Sequence, residues 1–170
     1  MQSTIATALA FAAATLAVPT TAAARQAPQQ QQLRLHATGG ALAAWALTNV
    51  YSEAAGANVI QIQRPSAYES DAAHLAGGRL YFDLGNTYPW GVEIPAVPAG
   101  AVGQVVSQQG ASSTGFALDG SRLLTYNADS NGFWACPVDH TFELFYGVDP
   151  DPTKLPSAEC LQIQLLASSA

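Results

Sequence analysis

NVIQIQ, residues 58–63, decides the fold class. It puts Ile60 and Ile62 on one side of an extended chain and Gln61 and Gln63 on the other. Alternation with period two marks a strand with one face buried and one face wet. The same period returns along the chain. RLYFDL (79–84) groups Leu80, Phe82 and Leu84, and FELFYGV (142–148) groups Phe142, Leu144, Tyr146 and Val148. LQIQLL (161–166) sets Leu161, Ile163 and Leu165 against two glutamines.

Turn signals separate these runs: Gly39-Gly40, Gly77-Gly78, Asp119-Gly120 and Asn131-Gly132. GFALDGSRLLTY (115–126) reads as a hairpin, because Asp-Gly accepts the positive φ of a tight turn. About ten strand candidates at this spacing predict an all-β fold, a single-domain antiparallel sandwich or barrel. ALAAWALTNVYSEAA (41–55) is the exception. Its alanines favour helix by propensity, which leaves room for one short helix beyond Tyr51. No internal repeat and no linker divides residues 33–170.

The N-terminal segment reads differently. Residues 1–24 carry a short polar start, an apolar run from Ile5 to Val18, and Ala22-Ala23-Ala24 before Arg25. Small residues at −3 and −1 fit a secretory signal peptide. The run is short for a membrane span, which needs about 20 apolar residues. Residues 25–32, RQAPQQQQ, predict a Gln-rich flexible tail. The expected product is a secreted domain of roughly 146 residues, large enough for one sizeable core.

Only 11% of residues are charged, and twelve carboxylates oppose six basic side chains. An acidic chain without a basic cluster is not built to hold nucleic acid or an anionic membrane. No transmembrane segment is expected.

WACPVDH (134–140) gathers a thiol, a carboxylate and an imidazole. A nucleophilic cysteine needs a paired histidine, a cation or a helix N-terminus to lower its pKa. Pro137 biases Cys136 away from helical dihedrals. In an extended chain, residues four apart are separated by roughly 13 Å, so Cys136 and His140 do not meet locally. Cys160 is the only other cysteine. In a secreted chain an even count reads first as a disulfide, so Cys136 and Cys160 are expected to pair. Such a bridge clamps the proline-rich loop after Val148 against the last strand.

Other constellations are weaker. The three histidines are scattered, and Asp149 and Asp151 in VDPDP are followed by Thr153 and Lys154 rather than a calcium-loop pattern. No metal site and no cofactor is expected. Gly110 to Gly115 is one residue too long for a serine nucleophile elbow. A carboxylate pair for glycoside hydrolysis is a three-dimensional property that sequence leaves open. NTYPWG (86–91) is the candidate ligand-binding loop, with Tyr88 and Trp90 flanking a proline. Rings of this kind stack on flat ligand faces. Trp45 and Trp134 lie in strand-like runs and are expected in the core.

Several elements in order carry a resemblance. They are GGRLYFDL (77–84), Gly103 to Val106, GFALDG (115–120), Ala135-Cys136-Pro137, FELFYGVDP (142–150) and Glu159-Cys160. Together the chain resembles the PhiA-type fungal cell-wall proteins, some of which bind IgE. It departs from their pattern at Arg25 and Ile62, where family members carry a further cysteine pair. The resemblance implies a secreted, wall-associated, non-enzymatic protein linked to phialide and conidium development. It implies no catalytic residue. Cell-wall polysaccharide is the partner to consider. The alternative is a carbohydrate-binding module or effector using Tyr88 and Trp90, and a two-carboxylate hydrolase is a third reading.

Overall fold

A computed structural model describes residues 31–65, 70–85 and 87–170. The expected signal segment, and the tail up to residue 30, lie outside the described residues. Thirteen strands follow one another: β1 (Leu33–Thr38), β2 (Ala46–Ser52), β3 (Ala57–Gln63), β4 (Ala72–Ala76), β5 (Arg79–Asp83), β6 (Trp90–Glu93), β7 (Gly103–Gln104), β8 (Val106–Gln109), β9 (Phe116–Leu118), β10 (Leu124–Tyr126), β11 (Phe133–Val138), β12 (Thr141–Tyr146) and β13 (Leu161–Ser169). The fold is all-β, as the alternation predicts.

Nine strands close into an antiparallel barrel in the order β1–β13–β11–β12–β3–β8–β6–β5–β4 and back to β1. β2 lies along the whole of β3 and touches β1 at Ala46↔His36. β7 pairs with β12, and β9 with β10 forms a separate small sheet. Closure removes the exposed edges that make open sheets prone to pair with other chains.

The alternating residues fill the interior. Ile60, Ile62, Leu80, Phe82, Ile163 and Leu165 are all buried. An aromatic chain ties the small sheet to the barrel. Phe116 meets Tyr126 at 5.0 Å between ring centroids, Tyr126 meets Tyr146 at 5.1 Å, and Tyr146 meets Phe133 at 5.2 Å. Two members of the predicted stripes leave the core. Val148 lies beyond the end of β12 and is 53% exposed, while Leu161, the first residue of β13, is 38% exposed. β12 is covered on both faces. Leu144 and Tyr146 belong to the main core, and Phe145 packs in a second cluster with Cys136 and Cys160.

The turns show where residue choice matters. Gly77 and Gly78, at φ 57° and 73°, join β4 to β5 in a two-residue hairpin loop. The mirror-image turn this requires is one that glycine adopts at no steric cost. The hairpin of residues 115–126 also forms, but Gly120 does not supply its positive φ. Arg122 does, at φ 66°. The Asp119 carboxylate organises the loop instead, accepting from Ser121 N and Leu123 N at 2.8 Å each. The short helix allowed beyond Tyr51 is absent. β2 runs to Ser52, and residues 53–56 turn tightly, with Gly56 N donating to Ser52 O at 2.9 Å. All seven residues of β2 pair with β3, and that ladder overrides the helical preference of the alanines.

Candidate functional site

The cysteines are joined: Cys136 and Cys160 form a disulfide across 24 residues. It continues the β11–β13 ladder. Ala135 pairs with Leu161, so Cys136 and Cys160 are the next pair in register. Around them pack Phe145, Trp134, Val102 and Leu155. Trp134 therefore belongs to this outer cluster rather than to the barrel interior. Its indole Nε1 donates to Gly147 O at 3.1 Å.

Asp139 and His140 form the two-residue turn between β11 and β12, at φ 43° and 72°. Both central residues of a mirror-image turn need positive φ, and here neither is glycine. His140 thus lies in the turn beyond the strand that carries the bonded Cys136. Asp151 is also occupied: its carboxylate accepts from Thr153 N at 2.9 Å and Thr153 Oγ1 at 2.8 Å.

NTYPWG is split by the fold. Tyr88 is 65% exposed, but Trp90 is not a loop residue. It opens β6, pairs with Phe82 and Gln109, and packs against the main core. Phe82 recruits it, because the ring opposite a buried phenylalanine is drawn into the sheet. Its Nε1 is buried without a hydrogen-bond partner among the described residues.

The cavity that gathers the most chemistry lies elsewhere. An open cavity of about 890 Å³ is lined by residues of β2, β3 and the start of β12, with Trp45, Arg64 and Asp71. Register builds it. β2 and β3 pair from Ala46↔Gln63, so Trp45 and Arg64 stand one step further on. β3 and β12 pair at Ile62↔Phe142, so Arg64 and His140 stand two steps beyond that pair. Trp45, Arg64 and His140 thus share one end of the barrel. The Arg64 guanidinium carbon lies 5.3 Å from the Trp45 ring centroid, and Phe142 meets the indole edge-on at 6.0 Å.

Polar groups line the same cavity. Gln63 Nε2 donates to Gln61 Oε1 at 2.8 Å. Asp71 Oδ2 accepts from Asn49 N at 2.6 Å and from Asn49 Nδ2 at 3.1 Å. Asn49 Oδ1 in turn accepts from Ser107 Oγ at 2.6 Å. Thr48 is 7% exposed, and its Oγ1 has no hydrogen-bond partner among the described residues. Among the described residues Asp71 is the one carboxylate in this lining. Trp45, which the sequence suggested as a core residue, is half-buried and has its ring at the cavity. Reading residues 53–56 as a hairpin turn would have placed it opposite Arg64.

Glu143 stands across β3 from this site, paired with Gln61, and Gln104 Nε2 donates to its carboxylate. Burial pushes its pKa above the ordinary value; the Gln104 bond opposes that, and Asp139 adds to it. The folded state therefore holds the Glu143 proton more tightly than the unfolded chain, where the pKa is about 4.3. The stability this contributes is present below the unfolded value and lost as pH rises through the folded one. Glu143→Gln should flatten the fall in stability above about pH 4. Urea denaturation of both forms across pH 3–8 checks it, and an unchanged slope would contradict the assignment.

Among the described residues no group of three or more His, Cys, Asp or Glu could hold a metal ion. No described helix is long and apolar enough to cross a membrane. No curated protein matches the chain, and no solved structure does. Residues 28–169 match one family, so the chain belongs to the family described as Domain of unknown function (DUF7907).

Proposed function

We propose that the chain is a secreted, non-enzymatic, wall-associated β-barrel protein of a filamentous fungus, serving the growth of spore-bearing cells. The observation that carries this is the buried Cys136–Cys160 bridge, which leaves no free cysteine. Stable structural disulfides belong to oxidising compartments. Support also comes from residues 1–24, which have the pattern of a secretory signal, and from the motif order shared with PhiA-type wall proteins. A non-catalytic role fits the cavity chemistry, where Asp71, the single carboxylate among the described residues of the lining, already accepts from Asn49.

Fractionation of a fungus expressing the epitope-tagged full chain tests the proposal. The tag should appear in the medium and in the washed wall, with residues 1–24 removed. Retention in the cytosol would end the reading. The alternative, a carbohydrate-binding module working through Tyr88 and Trp90, rests on the exposed Tyr88 ring alone, since Trp90 is packed.

A further inference from the structure

We propose that the cavity beside Trp45 binds a neutral sugar chain of the wall. This rests on the extracellular reading above for its biological setting, but the site is argued from its own chemistry. A cavity of about 890 Å³ is within the size range of small-ligand sites. Such sites combine an apolar surface with a few convergent polar groups. Here the apolar surface is Trp45 with Phe142 at its edge.

The polar groups have capacity left over. The bond between Gln63 and Gln61 uses one donor and one acceptor, and no side-chain bond among the described residues uses Gln63 Oε1 or Gln61 Nε2. An adjacent donor and acceptor match neighbouring sugar hydroxyls, which both give and accept hydrogen bonds. Asp71 uses Oδ2 for Asn49, and no hydrogen bond among the described residues occupies Oδ1. The Thr48 hydroxyl is the strongest pointer. A buried polar atom without a partner among the described residues destabilises a fold. Thr48 lines the cavity while its Oγ1 is itself closed off, so a χ1 rotation that exchanges hydroxyl and methyl would turn the hydroxyl to the cavity. A ligand hydroxyl would satisfy it.

Charge selects a neutral ligand. Asp71 and Arg64 offset one another in the lining, so it holds no excess positive charge, and the net charge of −6 disfavours an acidic sugar. Arg64 is already placed over the indole. Such contacts are weak at exposed sites, and Arg64 is exposed. The sugar face takes the place of the guanidinium on the ring, where the C–H bonds of a pyranose meet the negative face of the indole.

The test is titration calorimetry on the secreted, disulfide-bonded protein. The probes are hexamers of β-1,3-glucose, β-1,4-glucose and N-acetylglucosamine, with a galacturonic acid hexamer as the acidic comparison. At least one neutral hexamer should bind. Trp45→Ala should weaken that binding by about tenfold or more, as loss of a stacking ring does. Thr48→Val keeps the shape and removes the hydroxyl, so it should weaken binding several-fold yet raise the melting temperature. Trp90→Ala, if it folds, should bind normally. Near-ultraviolet circular dichroism separates lost binding from lost fold, and Thr48→Val carries the test alone if Trp45→Ala unfolds.

Three results would each overturn the proposal. They are no binding of any neutral hexamer, full affinity in Thr48→Val, or a preference for the acidic hexamer. A lowered melting temperature in Thr48→Val would show that the hydroxyl already has a partner, and would overturn it too. Failure here leaves the secretion reading standing, because fractionation reads localisation and titration reads binding.

Discussion

Cys136→Ala/Cys160→Ala should lose about 3 kcal/mol of stability, and its melting temperature should fall by about 10 °C. The effect comes largely from the unfolded chain. The bridge closes a loop across 24 residues, and without it the denatured ensemble regains that loop's freedom. The folded state gives up little packing, since alanine replaces a small buried side chain on each strand. The loop in question holds Pro150, Pro152 and Pro156 and a short 3-10 turn at Pro152–Lys154. Within it β12 is anchored in the core, while the stretch after Val148 is packed into the cluster round the bridge through Leu155.

Removing both cysteines avoids leaving a reactive thiol. Urea denaturation of the double variant, and of the wild type with reductant, should give the same midpoint. A loss below about 1 kcal/mol would mean that the loop is held by its other contacts, and the cross-link would then be incidental to stability. Because the bridge continues the β11–β13 ladder, its loss should also free the start of β13. Amide exchange at Leu161 and Gln162 should rise ahead of exchange at Leu165.

Strand identity was legible wherever one face is wet. Ile60 and Ile62, Leu80 and Phe82, and Ile163 and Leu165 alternate with polar residues because water and core divide the two faces of a sheet. Val148 and Leu161 broke the pattern because alternation says nothing of where a strand stops. Barrel closure was not legible. It depends on pairs such as Leu33↔Ser169, which bring together the two ends of the described domain. Periodicity is local, and those pairings are not.

The disulfide was readable because two cysteines allow one intramolecular pairing. The cavity was not, since Trp45, Arg64 and His140 meet only through the registers of two separate ladders. NTYPWG misled for a related reason. A proline between two aromatics resembles a loop, but a ladder partner as large and buried as Phe82 holds Trp90 in the sheet.

Gly91, the last residue of NTYPWG, should tolerate no side chain at all. Gly91→Ala should cost about 3 kcal/mol or more. Its backbone is not the reason, because Gly91 is not among the glycines at positive φ. Space is the reason. A Cβ there would lie 1.4 Å from Ala111 O and 2.7 Å from Ser112 Cβ. The connection from β8 to β9 crosses β6 at this point, as glycine in a strand often signals. Serine side chains fasten the crossing. Ser112 Oγ donates to Leu80 O at 3.1 Å, Ser113 N to Val92 O at 2.9 Å, and Ile94 N to Ser113 Oγ at 2.9 Å. An added methyl must lift the crossing chain and break bonds worth about 1 kcal/mol each. Gly120→Ala is the matched comparison. Gly120 has no positive φ, and a methyl group there would meet nothing within 4 Å, so alanine should be neutral or stabilise by up to about 1 kcal/mol. Urea midpoints of the two variants, read at one pH, should fall on opposite sides of the wild type or leave Gly120→Ala level with it. Equal losses in both would show that glycine at position 91 answers to chain flexibility and not to the crossing.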